Sequence, residues 1–115
     1  MNKVGNTKDI NECSGMEKPM EILVGKWKPI ILFHLLNNEK LRFSELQKLE
    51  PSITKKMLTQ QLRDLEQQDI VHREIYPVVP PKVEYSITDY GKSIIPVLES
   101  IIDWGEKHLE HLNKK

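Results

Sequence analysis

Apolar residues recur at helical spacing through most of the chain and alternate with polar ones in a single stretch. Met20 to Val24 is a short apolar run that follows Pro19 and stops at Gly25. Trp27-Lys28-Pro29 then leads into Ile30-Ile31-Leu32-Phe33-His34-Leu35-Leu36, with Pro29 suited to a first helical turn and Asn37-Asn38 to a stop. Apolar residues on nearly every side of this segment predict a central, buried helix. Leu41-Arg42-Phe43 suits a small strand or a bridge into Ser44-Glu45-Leu46-Gln47, where Ser44 and Gln47 have capping-box spacing. Pro51 ends that helix by about Leu49, and Ser52 is placed to cap a new one from Ile53 to about Gln68.

Within the new helix Leu58, Leu62 and Leu65 fall in an arc of ~60° when each residue advances ~100°. Lys56, Gln60, Arg63 and Gln67 lie opposite them. Two helices joined by a short turn, the second with an apolar stripe and a cationic, amide-bearing outer face, form a helix-turn-helix arrangement.

After Asp69 the period changes. Residues 70–76 and 82–87 read as two strands, joined by Pro77-Val78-Val79-Pro80-Pro81, a stiff extended tip because proline cannot donate to a ladder. Thr88 caps a last long helix from Asp89 to about Leu112, with a kink expected at Pro96. Ile94, Leu98, Ile101, Ile102, Leu109 and Leu112 form its main stripe, while Ile95, Val97 and Trp104 spread outside it. One small domain does not cover so wide an arc, and the surplus points to a partner helix, most simply from a second copy of the chain.

With 115 residues and 38% hydrophobic content the chain is one domain at most, able to bury a core without staples. Residues 1–16 have almost no apolar periodicity and read as a flexible arm, leaving 17–115 as the domain. The lone cysteine, Cys13, cannot close an intrachain disulfide. The first residues carry no apolar secretion segment, and the longest apolar run is far short of the ~20 residues of a membrane span, so a cytoplasmic protein is expected.

Seventeen Lys and Arg balance seventeen Asp and Glu, which removes the overall basic excess that usually marks nucleic-acid binding. The local picture differs. Ser52 to Arg63 contains Lys55, Lys56 and Arg63 and no acid. A helix amino terminus there adds outward N–H groups, Ser52 and Thr54 can donate to phosphate, Gln60 matches an adenine edge and Arg63 a guanine edge. Any long polar side chain on a solvated face offers the same groups, so an ordinary outer face is the competing reading. The order helix, helix, turn, helix, hairpin, helix is nonetheless that of a winged helix-turn-helix, mainly α with a small β-hairpin.

No phosphate-binding Gly loop, nucleophile elbow or paired-carboxylate motif is present, so no enzyme, cofactor or metal is expected. His108 and His111 lack the further ligands of a zinc site, and His34 reads as a hydrogen-bonded rim histidine.

Several segments together carry a more specific signal. Gly25-Lys26-Trp27, the helix from Ile53 to Glu66 with its Met57-Leu58-Thr59-Gln60-Gln61-Leu62-Arg63, the wing Pro80-Pro81-Lys82-Val83-Glu84-Tyr85-Ser86, and Trp104-Gly105 occur in order over residues 17–112. This pattern resembles the HxlR family of bacterial transcription regulators. The resemblance implies a winged-helix homodimer, paired through its N- and C-terminal helices, that binds a roughly palindromic operator and represses a nearby gene.

Carried over by position, Ser52, Thr54, Lys55, Lys56, Thr59, Gln60 and Arg63 are the DNA-facing set of a recognition helix spanning about 52–66. Lys82 is the cation of a wing spanning about 76–83. Leu98, Ile101, Trp104 and Leu109 belong to the dimer interface. Trp27 reads as a packing anchor rather than a ligand-binding residue, and Arg42 and Arg73 as solvated strand-edge residues, with phosphate contact as the alternative. Some family members sense oxidants or electrophiles through a cysteine near the amino terminus, which makes Cys13 a candidate redox sensor and an electrophile or other small molecule a candidate effector. Here Cys13-Ser14 replaces the family's Cys-Pro, about one residue further from Gly25-Lys26-Trp27, and an inert thiol is the alternative. A second departure is Asp69, where glycine commonly ends the recognition helix. The alternative to DNA binding is a winged-helix protein-interaction module that docks through its last helix.

Overall fold

The computed structural model describes residues 14–23 and 25–115. Among the described residues, five α-helices and a three-stranded antiparallel sheet follow in the order α1 (Ser14–Leu23), α2 (Trp27–Asn37), β1 (Leu41–Arg42), α3 (Phe43–Leu49), α4 (Lys55–Gln67), β2 (Val71–Tyr76), β3 (Lys82–Ile87) and α5 (Ile95–Asn113). The architecture is a winged helix-turn-helix. The sheet order is β1-β3-β2, so the short Leu41–Arg42 piece pairs with Tyr85 and Glu84 and adds a third strand to the expected hairpin.

The core is aliphatic. Ile31, Leu32 and Leu35 of α2 pack with Leu46, Ile53, the α4 stripe Leu58, Leu62 and Leu65, and Ile70, Val71 and Leu98. Burial of the three α4 leucines fixes which side of that helix faces water; truncating any one of them to alanine costs ~2–5 kcal/mol. Trp27 is half-buried against this cluster, as a packing anchor should be, with the Lys26 ammonium 4.7 Å from its ring centroid. Phe33 of the central helix α2 is 44% exposed, so one side of α2 remains uncovered.

Several boundaries differ from expectation for identifiable reasons. Helix α1 begins at Ser14, inside the stretch read as an arm, and Pro19 lies within it rather than before it. Ser44 and Gln47 do not form the capping box of α3. The cap lies two residues earlier, at Arg42, and the Glu45 carboxylate accepts from the Arg42 N–H at 2.7 Å, which puts Ser44 inside the first turn.

Ser52 is not the cap of α4 either. Burial of Ile53 holds the turn two residues longer, Thr54 becomes the cap, and its Oγ1 accepts from the Met57 N–H at 3.1 Å. Pro96 does not kink a long last helix; a 3-10 turn at Gly91–Ile94 precedes α5, and Pro96 sits in the first turn of α5, where its missing N–H leaves no bond unmade. Thr88 therefore does not cap α5; its Oγ1 accepts from the Gly91 N–H at 2.7 Å, just ahead of the 3-10 turn. Asp69 ends the α4 segment in the left-handed region, with φ 62°.

Candidate nucleic-acid interface

The turn between α3 and α4 is held by side chains from three elements. Glu50 accepts from the Ser52 hydroxyl at 3.1 Å and lies 3.4 Å from the His34 ring of α2. His34 is therefore a hydrogen-bonded rim residue, as its position in an apolar helix suggested. Thr54 then starts α4 with its hydroxyl oxygen occupied by the cap, which leaves its O–H hydrogen for an external acceptor.

On α4 the buried leucines force Lys56, Gln60, Arg63 and Gln67 outward, and all four are exposed. Lys55 and Ser52 are exposed at the amino-terminal end of the same region, whereas Thr59 turns to the flank and is half-buried. Lys55, Lys56 and Arg63 make no ion pair among the described residues. Asp64, on the other flank, binds Lys28 of α2 at 3.3 Å and so ties α4 to the central helix. A solvated helix face with three unneutralised cations, next to a helix amino terminus, suits a polyanionic partner.

The wing brings one further cation toward this side, balanced by a neighbouring acid. Lys82 lies 3.4 Å from the Glu84 carboxylate and 4.9 Å from the Tyr76 ring centroid, so its ammonium is steadied rather than free-swinging. Lys40, from the loop before β1, donates to the Tyr76 hydroxyl at 3.5 Å. That hydrogen bond holds the Lys40 pKa above its ordinary value. Partial desolvation pushes the Glu84 carboxyl up, but the Tyr76 hydroxyl and the Lys82 and Lys40 ammoniums together outweigh it and leave it below its usual value.

Beyond this cluster the hairpin tip is bare, Val79 being 98% exposed and Val78 52%. Arg42, Ser44 and Lys82 line one open cleft of about 570 Å³ between the tip and the start of α3. Ser44, read from the sequence only as a helix cap, and Lys40, not singled out, come beside the wing only through the sheet order. Arg73 pairs with Glu66 of α4 at 3.4 Å, in keeping with a solvated strand-edge residue.

The candidate dimer residues divide. Ile101, Trp104 and Leu109 are 48%, 66% and 61% exposed, and Val97, Ile102 and Leu112 extend the same apolar surface. Leu98 does not belong with them. It is 4% exposed and completes the protomer's own core, because the 3-10 turn sets α5 down with that residue facing α2. A shallow apolar groove between α2 and α5 is lined by Pro29, Ile30, Phe33, Ile101 and Ile102, with the buried Leu98 at its base. Trp104 stacks on His108 with ring centroids 4.9 Å apart, and His108 on His111 at 6.5 Å. Cys13 lies outside the described residues.

The model of the HxlR-like helix-turn-helix family matches residues 22–113, which takes in every element from the end of α1 to the end of α5. The chain belongs to that family. It is 48% identical over 106 residues to the uncharacterized HTH-type transcriptional regulator YdeP of Bacillus subtilis (strain 168), covering 92% of this chain and 81% of that one. Among solved structures, the redox regulator HypR in its reduced form superposes with a TM-score of 0.80 at 44% identity, covering 89% of this chain and 100% of that one. The reduced form of the transcriptional regulator YodB from B. subtilis gives 0.73 at 33% identity, covering 83% and 92%. HxlR-like proteins such as this one are DNA-binding transcription regulators with a winged-helix fold, and its relatives are regulators rather than enzymes. No helix among the described residues is long and apolar enough to cross a membrane.

Proposed function

We propose that this HxlR-like chain is a homodimeric repressor, acting in the cytoplasm, that inserts α4 into the major groove of each half of a palindromic operator and lays its wing along the flanking backbone. The observation that carries the reading is the outer face of α4, where Lys55, Lys56, Gln60 and Arg63 are exposed opposite the buried leucine stripe. Ser52, Thr54 and Thr59 flank that face, and Lys82, Arg42, Ser44 and Lys40 supply the backbone contacts of the wing side. Pairing of two copies follows from the exposed apolar surface of α5, with α1 beside it, since a patch of this kind is self-complementary across a two-fold axis. Two recognition helices about one turn of DNA apart, ~34 Å, then face the same side of the duplex.

Selection of bound duplexes from a random library at ~150 mM salt tests the reading, because specific binding survives there while bare charge attraction fades. A single palindrome is the expected product. Lys55→Ala with Lys56→Ala weakens all sequences alike and lowers the salt slope by ~1–2 per protomer, whereas Gln60→Ala or Arg63→Ala weakens only the selected one, by ~1–3 kcal/mol. Unchanged affinity in all four replacements overturns the assignment of α4. No enriched sequence, together with retained self-association, favours the protein-interaction module instead.

A second reading concerns regulation. The similarity to HypR, a redox regulator, supports Cys13 as the sensing thiol, with an oxidant or electrophile as effector. With a single cysteine, any disulfide joins two protomers or takes up a small thiol. Operator affinity of the wild type and of Cys13→Ser before and after diamide treatment decides it; an identical response in both removes the role.

A further inference from the structure

Asp64 accepts from two side chains at once, Lys28 Nζ at 3.3 Å and Gln60 Nε2 at 3.1 Å. Lys28 is the more enclosed partner, 15% exposed against 37% for Asp64, so the carboxylate is anchored to α2 from its inner side. Gln60, one turn earlier on α4, leans back toward it along the outer face. A carboxylate paired with an ammonium offers acceptor sites only, so the end of the Gln60 amide that meets it is the NH2. That group has two hydrogens. The hydrogen trans to Oε1 is the one that can meet Asp64 and leave the other beside Oε1, and in that arrangement the amide's free edge presents a donor and an acceptor side by side.

A side-by-side donor and acceptor is the complement of adenine, whose major-groove edge shows the N7 acceptor and the N6–H2 donor. Guanine shows two acceptors there, cytosine a single amino donor, and thymine one acceptor and a methyl group. We propose that Asp64 is a positioning residue that holds Gln60 as a preset adenine reader, so that each half-site carries one adenine selected by Gln60. The proposal rests on α4 being the recognition helix. It also assigns Asp64 a cost: its charge lies on the edge of the cationic face and opposes phosphate, so it weakens attraction to DNA in general while sharpening choice among bases.

The test is selection from a random duplex library with the full chain as wild type, Gln60→Ala, Asp64→Ala and Asp64→Asn. It is accompanied by affinities for the selected duplex and a scrambled one, and by thermal melts of each variant. In the wild type, replacing the selected adenine lowers affinity roughly tenfold or more. Gln60→Ala abolishes that preference and leaves the rest of the consensus. Asp64→Ala reduces it roughly three- to tenfold and raises affinity for the scrambled duplex, two changes of opposite sign that a damaged fold does not produce. Asp64→Asn removes the charge and leaves one oxygen where Lys28 and Gln60 now bond one each, so it lowers the adenine preference no further than Asp64→Ala and binds the scrambled duplex as tightly. Full adenine preference in Asp64→Ala, or a base other than adenine at the position lost in Gln60→Ala, overturns the proposal and leaves α4 as the recognition helix. Failure of the wild type to enrich any sequence overturns the recognition-helix reading and this one with it.

Discussion

Gly91 packs closely at the joint between the helix-turn-helix with its wing and α5. A Cβ added there meets the Ile70 carbonyl oxygen well inside contact distance, and also Ile87 Cγ2 at 2.9 Å and Thr88 Oγ1 at 3.0 Å. The first of these is backbone. The same Ile70 carbonyl accepts from the Thr88 N–H at 3.0 Å, and Thr88 Oγ1 accepts from the Gly91 N–H at 2.7 Å, so a methyl group cannot be admitted without loosening this hydrogen-bonded corner.

Overpacking of this kind costs ~1–3 kcal/mol, and a weakened hydrogen bond adds ~1 kcal/mol, so Gly91→Ala is expected to lose ~2–4 kcal/mol. With an unfolding entropy near ~2.1 cal/mol/K per residue, a chain of this length shifts by ~4 °C per kcal/mol, which puts the drop in melting temperature at ~8–16 °C. Circular dichroism melts at matched protomer concentration measure it, since self-association makes the midpoint concentration-dependent. The control is Gly105→Ala, where the added Cβ meets nothing within 4 Å and the glycine lies inside α5. That change is expected to raise the midpoint by ~2–4 °C, because alanine is the better helix former. A Gly91→Ala midpoint within ~2 °C of the parent would refute the packing argument.

Further predictions follow the same physical lines. Thr54→Ala removes the acceptor of the Met57 N–H and lowers stability by ~1 kcal/mol in chemical denaturation, with no change expected in the denaturant slope; a neutral result would mean that water replaces the cap fully. Asp69→Gly relieves a side chain held at φ 62° and raises stability by ~1 kcal/mol, whereas Asp69→Val lowers it; equal midpoints for the two variants contradict the strain. Glu84, its carboxyl held below the usual value, contributes stability that is present above the ordinary carboxylate range and is lost as pH falls through the depressed value. Melts from pH ~7 to ~3 are therefore expected to decline less steeply on the acid side for Glu84→Gln than for wild type, and parallel declines would remove the wing cluster as the cause. Ile101→Glu or Trp104→Glu places a charge on the apolar surface of α5 and is expected to yield monomers in light scattering; persistence of the dimer moves the interface elsewhere.

Much of the fold was legible because its signals are local. The 3.6-residue period of Leu58, Leu62 and Leu65 and the two-residue period of residues 70–76 and 82–87 each depend on one segment alone, and α4, β2 and β3 duly appear there. The exposed set Lys55, Lys56, Gln60 and Arg63 was legible for the same reason, since burying one side of a helix exposes the other. The helix starts were less so. Ser44, Ser52 and Thr54 are all competent caps, and the choice among them rests on where Arg42 joins β3 and how deeply Ile53 sits in the core.

By itself, then, the amino-acid order determined the helix-turn-helix, the wing and the cationic face of α4, because periodicity and prolines act within a few residues of where they stand. Tertiary structure alone decided the rest. Leu98 belongs to the core and Ile101 to the surface although both lie on one apolar stripe, since the 3-10 turn at Gly91–Ile94 sets the angle at which α5 meets α2. Lys40 and Ser44 join the wing only through the pairing of β1 with β3. The inward anchoring of Asp64 depends on Lys28, thirty-six residues away, and no local pattern encodes a contact of that range.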